Sequence, residues 1–258
     1  MKRVITAAWL VPVSTYSIFF APHWLFVTIV ILLAVLCYRE YARLVENQGL
    51  LSFNIPAIVG GIALLTLTDV AWTTVALLPL LALGLSLRAT DFKTGFASAG
   101  AFALGVIYIF GAWRCGIELH TRSHHWLFFA VALNWVGDTG AYYCGRAFGK
   151  HKLAPEVSPA KTIEGSLGGI AASVLFGYLY LHYTLPEISP LAAILLSITG
   201  NIAGQIGDLC ESALKRGAGM KDSGTMLAGH GGWLDRLDSS LFSMPAIYWA
   251  LLSYSRWH

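Results

Sequence analysis

Charged side chains are scarce in this sequence. Only 12% of its 258 residues are Asp, Glu, Lys or Arg, whereas soluble domains carry about 25%. Hydrophobic residues make up 56% of the chain, and the mean hydropathy is +0.63. This composition excludes a soluble enzyme, a disordered protein and a nucleic-acid-binding protein, and it favours a chain that is solvated mainly by lipid.

Cysteine is also rare, and the four residues lie far apart at Cys37, Cys115, Cys144 and Cys210. The absence of a CxxC pair argues against a disulfide framework and against a thiolate zinc site. Internal repeats, long linkers and low-complexity segments are absent as well. We therefore expect a single membrane-embedded domain over residues 1–258.

Long apolar stretches are abundant. A helix needs about 20 mostly apolar residues to cross a bilayer, and short polar connectors separate roughly nine such stretches. We predict an all-α, polytopic helical bundle with transmembrane helices at about 4–21, 23–38, 55–69, 70–87, 96–113, 125–144, 166–184, 190–207 and 240–255. Prolines blur several of these ends, so counts of eight and ten stay open.

The basic residues predict an orientation. With Lys2 and Arg3 in the cytoplasm and nine spans, 14 of the 17 basic residues face the cytoplasm, and only Arg114, Arg122 and Arg256 lie outside. This distribution agrees with the positive-inside rule. It leaves two large cytoplasmic loops, at about 145–165 and 208–239.

Polar residues recur at helical spacing in two of the spans. The eighth span carries Asn201, Gln205, Asp208 and Ser212, and Glu211 and Lys215 continue this stripe into the following loop. The sixth span carries Asn134, Asp138 and Tyr142. These stripes predict a polar cavity at one side of the membrane, because ionisable groups at membrane depth usually face a cavity or each other. Hydrogen bonding between helices is the alternative for the amides.

A glycine-rich segment with charges of both signs lies between the last two spans. Six glycines fall between Gly217 and Gly232, among the cations Lys215, Arg216, Lys221 and Arg236. Glycine allows the backbone N–H groups to approach anionic oxygens, so the segment predicts a phosphate site. A flexible cytoplasmic loop is the alternative. His230, between two glycines, is either a phosphate contact or a structural donor.

Carboxylates close to that segment suit a hard cation. Asp235 and Asp238 are three residues apart and would project from one face of the last helix near its N-terminus. With Asp208 they could hold one or two Mg²⁺ ions, which prefer carboxylate and phosphate oxygens. Complementation of the helix dipole is the alternative for either residue alone.

A second loop, Ser158-Pro-Ala-Lys-Thr-Ile-Glu-Gly165, precedes a glycine-rich helix start. Lys161 and Thr162 beside a helix N-terminus form a candidate anion site. A simple helix cap is the alternative interpretation.

These motifs resemble those of the phosphatidate cytidylyltransferases, also called CDP-diacylglycerol synthases. The resemblance rests on Ser212-Ala-Leu-Lys-Arg216, on Lys221-Asp222 and on His230-Gly-Gly-Trp-Leu-Asp-Arg-Leu-Asp238. Gly207-Asp208-Leu-Cys-Glu-Ser212, Asp138-Thr-Gly-Ala-Tyr142 and the Ser158–Gly165 loop look like that family's remaining motifs. The resemblance covers 126–258, which would be the catalytic half, while 1–125 resembles the family only in hydropathy. Ala160 and Ala228 depart from the family's pattern.

The resemblance implies the conversion of CTP and phosphatidate to CDP-diacylglycerol and pyrophosphate on the cytoplasmic face of a bacterial plasma membrane. It assigns the divalent metal to Asp208, Asp235 and Asp238, and catalytic phosphate contacts to Lys215, Arg216 and Lys221. Further nucleotide or phosphate contacts are expected at Ser158, Lys161, Thr162, Asp222, His230, Gly231, Gly232 and Arg236. The residues expected to line the cavity are Asn134, Asp138, Asn201, Glu211 and Ser212. A monovalent cation and a homodimer are compatible with the sequence.

Three other kinds of membrane protein are the alternatives to this interpretation. A CTP-dependent lipid kinase, or a cytidylyltransferase with another lipid acceptor, would use the same metal and phosphate chemistry. A transporter or channel could place Asp138, Asn201 and Asp208 in a midplane cavity, but it should show repeated halves and polar groups spread across the bilayer. A purely structural membrane protein would not concentrate so much charge at one face.

Overall fold

The computed structural model describes residues 2–67, 71–87, 92–226 and 231–255. These residues are nearly all helical, as the composition predicts. The helices are α1 (Lys2–Phe20), α2 (His23–Asn47), α3 (Asn54–Thr66), α4 (Ala71–Ser86), α5 (Phe92–Gly105), α6 (Ala112–Arg122), α7 (His124–Phe148), α8 (Ile163–Thr184), α9 (Pro190–Gly217) and α10 (Leu234–Ser255). A π-helical segment, Val106–Gly111, joins α5 to α6.

Each predicted apolar span overlaps a helix of the structure. Within the described residues, four helical segments are long and apolar enough to cross a membrane: His23–Asn47, Thr94–Arg122, Ile163–Thr184 and Pro190–Gly217. Three shorter apolar helices accompany them, at Val11–Phe20, Asn54–Thr66 and Val75–Ser86. The π-helical segment lies within Thr94–Arg122, so the fifth predicted span is part of a continuous 29-residue rod.

The loop predicted at 145–165 is not entirely irregular. It contains two antiparallel strands, β1 (Lys152–Ala154) and β2 (Ser158–Thr162), in which Lys152 pairs with Thr162 and Ala154 with Ser158. The fold of the described residues is nearly all-α, as predicted, and this small hairpin is an addition that the prediction did not include. The strands escape detection because they are only three and five residues long and carry little of the β-branched, alternating pattern of a strand.

The loop predicted from residue 208 begins later than expected. Helix α9 continues to Gly217 and carries Asp208, Glu211, Ser212, Lys215 and Arg216 on regular helical backbone. It ends in a Schellman motif, because the N–H of Met220 donates to the carbonyl of Lys215 at 2.8 Å and that of Gly219 donates to Arg216 at 3.0 Å. Gly219 has φ +68°, which the motif requires. The expected helix at Asp235 and Asp238 is confirmed as α10.

The chain divides into two compact units. The first contains Met1–Ile117 and Leu214–Leu237, and the second contains Glu118–Ala213 and Asp238–His258. The divisions fall inside α6, α9 and α10. The glycine-rich segment therefore belongs to the same unit as the N-terminal helices.

The core of the first unit is aromatic and closely packed. Tyr38 and Tyr41 of α2 are almost fully buried, and the Tyr41 hydroxyl donates to the carbonyl of Ala101 at 2.8 Å. A Cβ built on Gly105 would lie 2.3 Å from the Tyr41 ring, and one on Gly61 would lie 2.4 Å from Phe110. The glycines therefore allow these rings to lie against the helix backbones.

Close contact between α7 and α8 organises the second unit. A Cβ built on Gly140 would lie 2.6 Å from the Ala172 methyl group, and one on Gly165 would lie 2.8 Å from the carbonyl of Ala141. Small residues of this kind let helix backbones approach in membranes, where lipid gives no hydrophobic force to drive helices together. The pairing fixes the start of α8 beside α7.

Large apolar side chains cover much of the surface. Leu167, Leu175 and Tyr183 of α8 are 62%, 63% and 79% exposed, and Leu191 and Leu195 of α9 are 66% and 53% exposed. Aliphatic residues at this exposure on helices of spanning length are expected to face lipid chains. This surface supports the membrane environment that the composition predicts.

Candidate functional site

The predicted site residues fall into one group in each unit. In the second unit, Asp138, Lys161, Thr162 and Asp208 line a cleft. In the first unit, Lys215, Gly231, Gly232 and Asp235 gather around the glycine-rich segment. Each group is described by itself.

The cleft of the second unit has a volume of about 370 Å³. Its polar lining includes Asp138, Tyr142, Arg146, Lys161, Thr162, Ser166, Gln205 and Asp208, and small residues such as Gly145, Ala160 and Gly165 complete the wall. Cations, carboxylates, three hydroxyl groups and an amide are thus combined in one concave surface. Such a surface can bind an anionic ligand together with a cation.

Lys161 and Asp208 form an ion pair in this cleft. The Lys161 ammonium donates to Oδ2 of Asp208, and the two side chains are 27% and 30% exposed. The Ser212 hydroxyl lies 3.5 Å from the other carboxylate oxygen, Oδ1. Lys161 is the penultimate residue of β2, whereas Asp208 lies 47 residues later on α9. The sequence predicts a role for both residues but not their contact.

The backbone around Lys161 is held by a cap and by a carboxylate. Thr162 begins α8 by accepting the N–H of Gly165 on its hydroxyl at 3.1 Å. Glu164 accepts the N–H of Lys150 at 3.1 Å and the imidazole Nδ1 of His151 at 2.6 Å. The helix-cap interpretation of Thr162 is therefore confirmed. This cap and the hydrogen bonds that Glu164 accepts from Lys150 and His151 together fix the strand that carries Lys161.

The polar stripe of α9 forms a hydrogen-bonded ladder. Ser166 donates to Gln205, the Gln205 amide donates to Asn201 at 2.6 Å, and Asn201 donates to Ser173 at 2.9 Å. On α7, the Asn134 amide donates to the Ser243 hydroxyl of α10 at 2.8 Å. Asn134 and Asn201 are both buried, and in this structure they form hydrogen bonds between helices.

Helices α9 and α10 approach each other beside Asp208. A Cβ built on Gly207 would lie 2.7 Å from the carbonyl oxygen of Asp238 and 2.9 Å from the Phe242 ring. Asp238 is 8% exposed, and its Oδ1 accepts the N–H of Ser239 at 2.7 Å. Because Gly207 has no side chain, α9 and α10 can be in contact there. Two predicted metal ligands, Asp208 and Asp238, therefore lie on helices that contact each other beside them. Glu211, one turn further along α9, is fully buried.

Asp235 is the centre of the group in the first unit. Its Oδ1 accepts from the Lys215 ammonium at 2.5 Å. Its Oδ2 accepts from the N–H of Gly232 at 2.7 Å and from the N–H of Ser223 at 2.9 Å, and the Ser223 hydroxyl oxygen also lies 2.9 Å from it. Burial raises the pKa of Asp235, but the hydrogen bonds from Lys215, Gly232 and Ser223 outweigh it, and the pKa lies below its ordinary value. The carboxylate is therefore ionised and its acceptor sites are taken.

A residue that the sequence analysis did not single out completes this group. Glu40 of α2 is 2% exposed and accepts the N–H groups of Trp233 and Leu234 at 3.1 and 2.9 Å and the Ser223 hydroxyl at 2.9 Å. The sequence offers one signal for Glu40: an ionisable residue that follows an apolar, membrane-spanning stretch is often functional.

The backbone turns sharply next to Asp235. Gly231 has φ +76°, and a Cβ built on it would lie 2.4 Å from Oδ2 of Asp235. Arg216, Lys221, Asp222 and Arg236 are exposed around this segment. Ser158, also predicted to contact phosphate, is half-buried in β2. His230 and the departure at Ala228 lie outside the described residues.

The carboxylates of the second unit fit a hard cation by their donor chemistry. Among the described residues, no three His, Cys, Asp or Glu side chains are grouped so as to hold a metal ion. Mg²⁺ usually takes only one or two carboxylates and completes its shell with water and substrate phosphates. Asp208 and Asp238 lie on helices that are in contact at Gly207, and their carboxylates are of the type that such a site uses.

Comparison with known proteins identifies the family. The profile of the cytidylyltransferase family matches residues 1–254. The chain belongs to the cytidylyltransferase family. The sequence motifs indicate a resemblance over the C-terminal half only. The family match extends through almost the whole chain and includes the helix that carries Glu40.

The curated relatives of this family member include several proteins named phosphatidate cytidylyltransferase. The protein of Bacillus subtilis strain 168 is 40% identical over 163 residues, which cover 62% of this chain and 61% of that protein. Those of Staphylococcus saprophyticus strain ATCC 15305 and Staphylococcus aureus strain COL are 37% and 39% identical, over 60% of each chain. The matched region thus spans about three fifths of the length of these relatives.

Proposed function

We propose that this protein is a membrane-bound phosphatidate cytidylyltransferase, which converts CTP and phosphatidate to CDP-diacylglycerol and pyrophosphate. One observation carries the proposal: two signature carboxylates, Asp208 and Asp235, are each paired with a signature lysine, Lys161 and Lys215. The family membership and the names of the curated relatives support it.

The paired charges suit a reaction between two anions. A phosphate oxygen of phosphatidate attacks the α-phosphorus of CTP, a new P–O–P bond forms, and the bond between the α- and β-phosphates breaks as pyrophosphate leaves. The second pKa of a phosphate monoester is about 6, so the nucleophile is already largely a dianion and no general base is required. Neutralisation of charge is the main requirement of the step.

The lysines supply that neutralisation by exchanging partners. In the structure, Lys161 and Lys215 donate to carboxylates. When a polyphosphate binds, each ammonium can donate to a phosphate oxygen instead. The exposed cations Arg216, Lys221 and Arg236 attract and hold the remaining phosphate charge.

The carboxylates released by the lysines suit a divalent cation. We propose Asp208 and Asp238 as ligands of Mg²⁺ in the second unit. In the first unit, we propose that Asp235 can bind a divalent cation once Lys215 has moved from Oδ1. Bound Mg²⁺ would screen the phosphate charges and stabilise the leaving pyrophosphate. The work of this chain is to orient the phosphates, to hold the lysines within reach of them, and to place the carboxylates on rigid helices.

We also propose the membrane topology that the basic residues predict. Nine spans with a cytoplasmic N-terminus place the hairpin at 152–162 and the glycine-rich segment at the cytoplasmic face of a bacterial inner membrane. The exposed apolar surfaces of α8 and α9 and the four helices of spanning length support a bilayer location. CTP would reach this face from the cytoplasm, while phosphatidate would enter from the bilayer.

Purified protein in detergent micelles tests the proposed activity. It is incubated with phosphatidate, CTP and Mg²⁺, and the lipid products are identified by mass spectrometry. CDP-diacylglycerol that depends on both substrates is the expected result. Asp208→Asn should remove the product without changing the elution of the folded protein. A wild-type protein that consumes neither substrate would overturn the proposal.

A further inference from the structure

Glu40 is a buried carboxylate that accepts hydrogen bonds from the segment leading into α10. Its Oε1 accepts the N–H of Trp233, and its Oε2 accepts the N–H of Leu234 and the Ser223 hydroxyl. The N–H groups at a helix start have no partner within the helix and carry a partial positive charge. Glu40 therefore caps α10 from a helix almost 200 residues earlier in the chain.

Two glycines enclose the carboxylate. A Cβ built on Gly232 would lie 2.2 Å from Oε2 of Glu40, and one built on Gly224 would lie 2.5 Å from Oε1. Any side chain at these positions would displace the carboxylate. The backbone of the segment therefore lies directly against Glu40. Close approach of this carboxylate, rather than of a phosphate, explains why glycine is required at 224 and 232.

Ser223 connects Glu40 to Asp235. Its hydroxyl lies 2.9 Å from Oε2 of Glu40 and 2.9 Å from Oδ2 of Asp235, while its N–H donates to the same Asp235 oxygen. Asp235 in turn binds Lys215 through its other oxygen. A continuous series of contacts thus runs from α2, through the segment, to the pair of charges that the proposed reaction uses.

We propose that Glu40 is a positioning residue for cytidylyl transfer. In this proposal it acts through other residues and not by contact with phosphate or metal. It fixes Ser223, Gly232 and the first turn of α10, so that Asp235 and Lys215 are held in place before the substrates bind. This role rests on the proposed function, and it gives the N-terminal part of the chain a direct part in the reaction beyond membrane anchoring.

The test uses Glu40→Gln in the full-length protein. Glutamine keeps the size of the side chain but has one acceptor oxygen, so its NH₂ group must face the N–H of Trp233 or of Leu234. We expect kcat to fall by about 100-fold, as when reacting groups are misplaced by about 1 Å, while KM for CTP changes by less than about threefold. Glu46→Gln is the matched control on the same helix, because Glu46 accepts from Ser52 and Asn54 instead; it should retain wild-type kcat.

A second measurement does not depend on turnover. Limited trypsin digestion reports opening of the segment at Lys221, which is exposed. Glu40→Gln should be cut there at least about tenfold faster than wild type, whereas Glu46→Gln should be cut at the wild-type rate. Ser223→Ala keeps the cap and the backbone N–H contact to Asp235 but removes the hydroxyl that lies between Glu40 and Asp235. It should therefore lower kcat without the full increase in cleavage.

The outcomes separate the two proposals. If the wild-type protein makes no CDP-diacylglycerol but Glu40→Gln accelerates cleavage, the proposed function fails and the anchoring by Glu40 stands. If Glu40→Gln lowers the unfolding temperature while kcat per folded molecule and cleavage at Lys221 stay at wild-type values, Glu40 only stabilises the fold and the positioning role is overturned.

Discussion

The Nζ atom of Lys215 lies 2.5 Å from Oδ1 of Asp235, and it joins the last turn of α9 to the first turn of α10. The two side chains are only 11% and 5% exposed. Removing one member of a buried ion pair leaves the other charge uncompensated, which is strongly destabilising. Lys215 and Asp235 therefore hold the two ends of the glycine-rich segment as well as serving the proposed reaction.

The first prediction concerns the lysine of the cleft. Lys161→Met should lower kcat/KM for CTP by about 100-fold, because a charge-assisted contact to phosphate is lost. Steady-state kinetics with varied CTP will measure it. Lys150→Met is the matched control, since it removes the same charge from an exposed position whose backbone N–H, not its ammonium, binds Glu164. Equal losses in the two variants would contradict a specific role for Lys161.

The second prediction concerns the proposed metal ligands. Asp238→Asn should raise the Mg²⁺ concentration that gives half-maximal activity by at least about tenfold, because a neutral amide is a weaker ligand for a hard cation. A titration of activity against Mg²⁺ measures this shift. Glu156→Gln, at an exposed position between the two strands, should leave it unchanged. An unaltered requirement for Mg²⁺ in Asp238→Asn would remove Asp238 from the proposed ligands.

The third prediction separates backbone strain from displacement of Asp235. Gly219→Ala and Gly231→Ala both place a side chain on left-handed backbone, at φ +68° and +76°, which costs about 1–2 kcal/mol. Among the described residues, a Cβ on Gly219 meets no atom within 4 Å, whereas one on Gly231 would lie 2.4 Å from Asp235. Both variants should lose some stability in thermal unfolding, but only Gly231→Ala should also lose turnover.

The fourth prediction concerns the packing of α7 against α8. A Cβ on Gly168 would lie 2.3 Å from the Cβ of Cys144, so Gly168→Ala should destabilise the protein by about 1–3 kcal/mol through overpacking. Gly100→Ala is the control in α5, where a Cβ meets nothing within 4 Å. It should be neutral or stabilising by about 0.5–1 kcal/mol, since alanine favours a helix. Thermal unfolding in detergent compares the two, and similar shifts would contradict the close contact.

The helices could be predicted because their signal is local. An apolar stretch of spanning length identifies a membrane helix without knowledge of its neighbours, and each predicted span overlaps a helix. The helical spacing of Asn201, Gln205 and Asp208 likewise identified a single face of α9, where the structure gives the ladder of hydrogen bonds.

The partners of the site residues could not be predicted, because they depend on contacts between distant segments. Nothing in the sequence indicates that Lys161 binds Asp208 rather than a phosphate, or that Asn201 binds Ser173. Glu40 is the clearest example, since it lies 183 residues from Ser223 and belongs to an apolar helix of membrane-spanning length. Its role depends on the close approach of Gly224 and Gly232.

Transfer of label from CTP to lipid tests the central claim most directly. Purified protein is incubated with phosphatidate, Mg²⁺ and CTP that is labelled either in the cytosine base or at the γ-phosphate. Cytidylyl transfer predicts that the base label enters the lipid and that the γ-label leaves in pyrophosphate. Recovery of the γ-label in the lipid would show a kinase and contradict the account, and so would the absence of any label in the lipid.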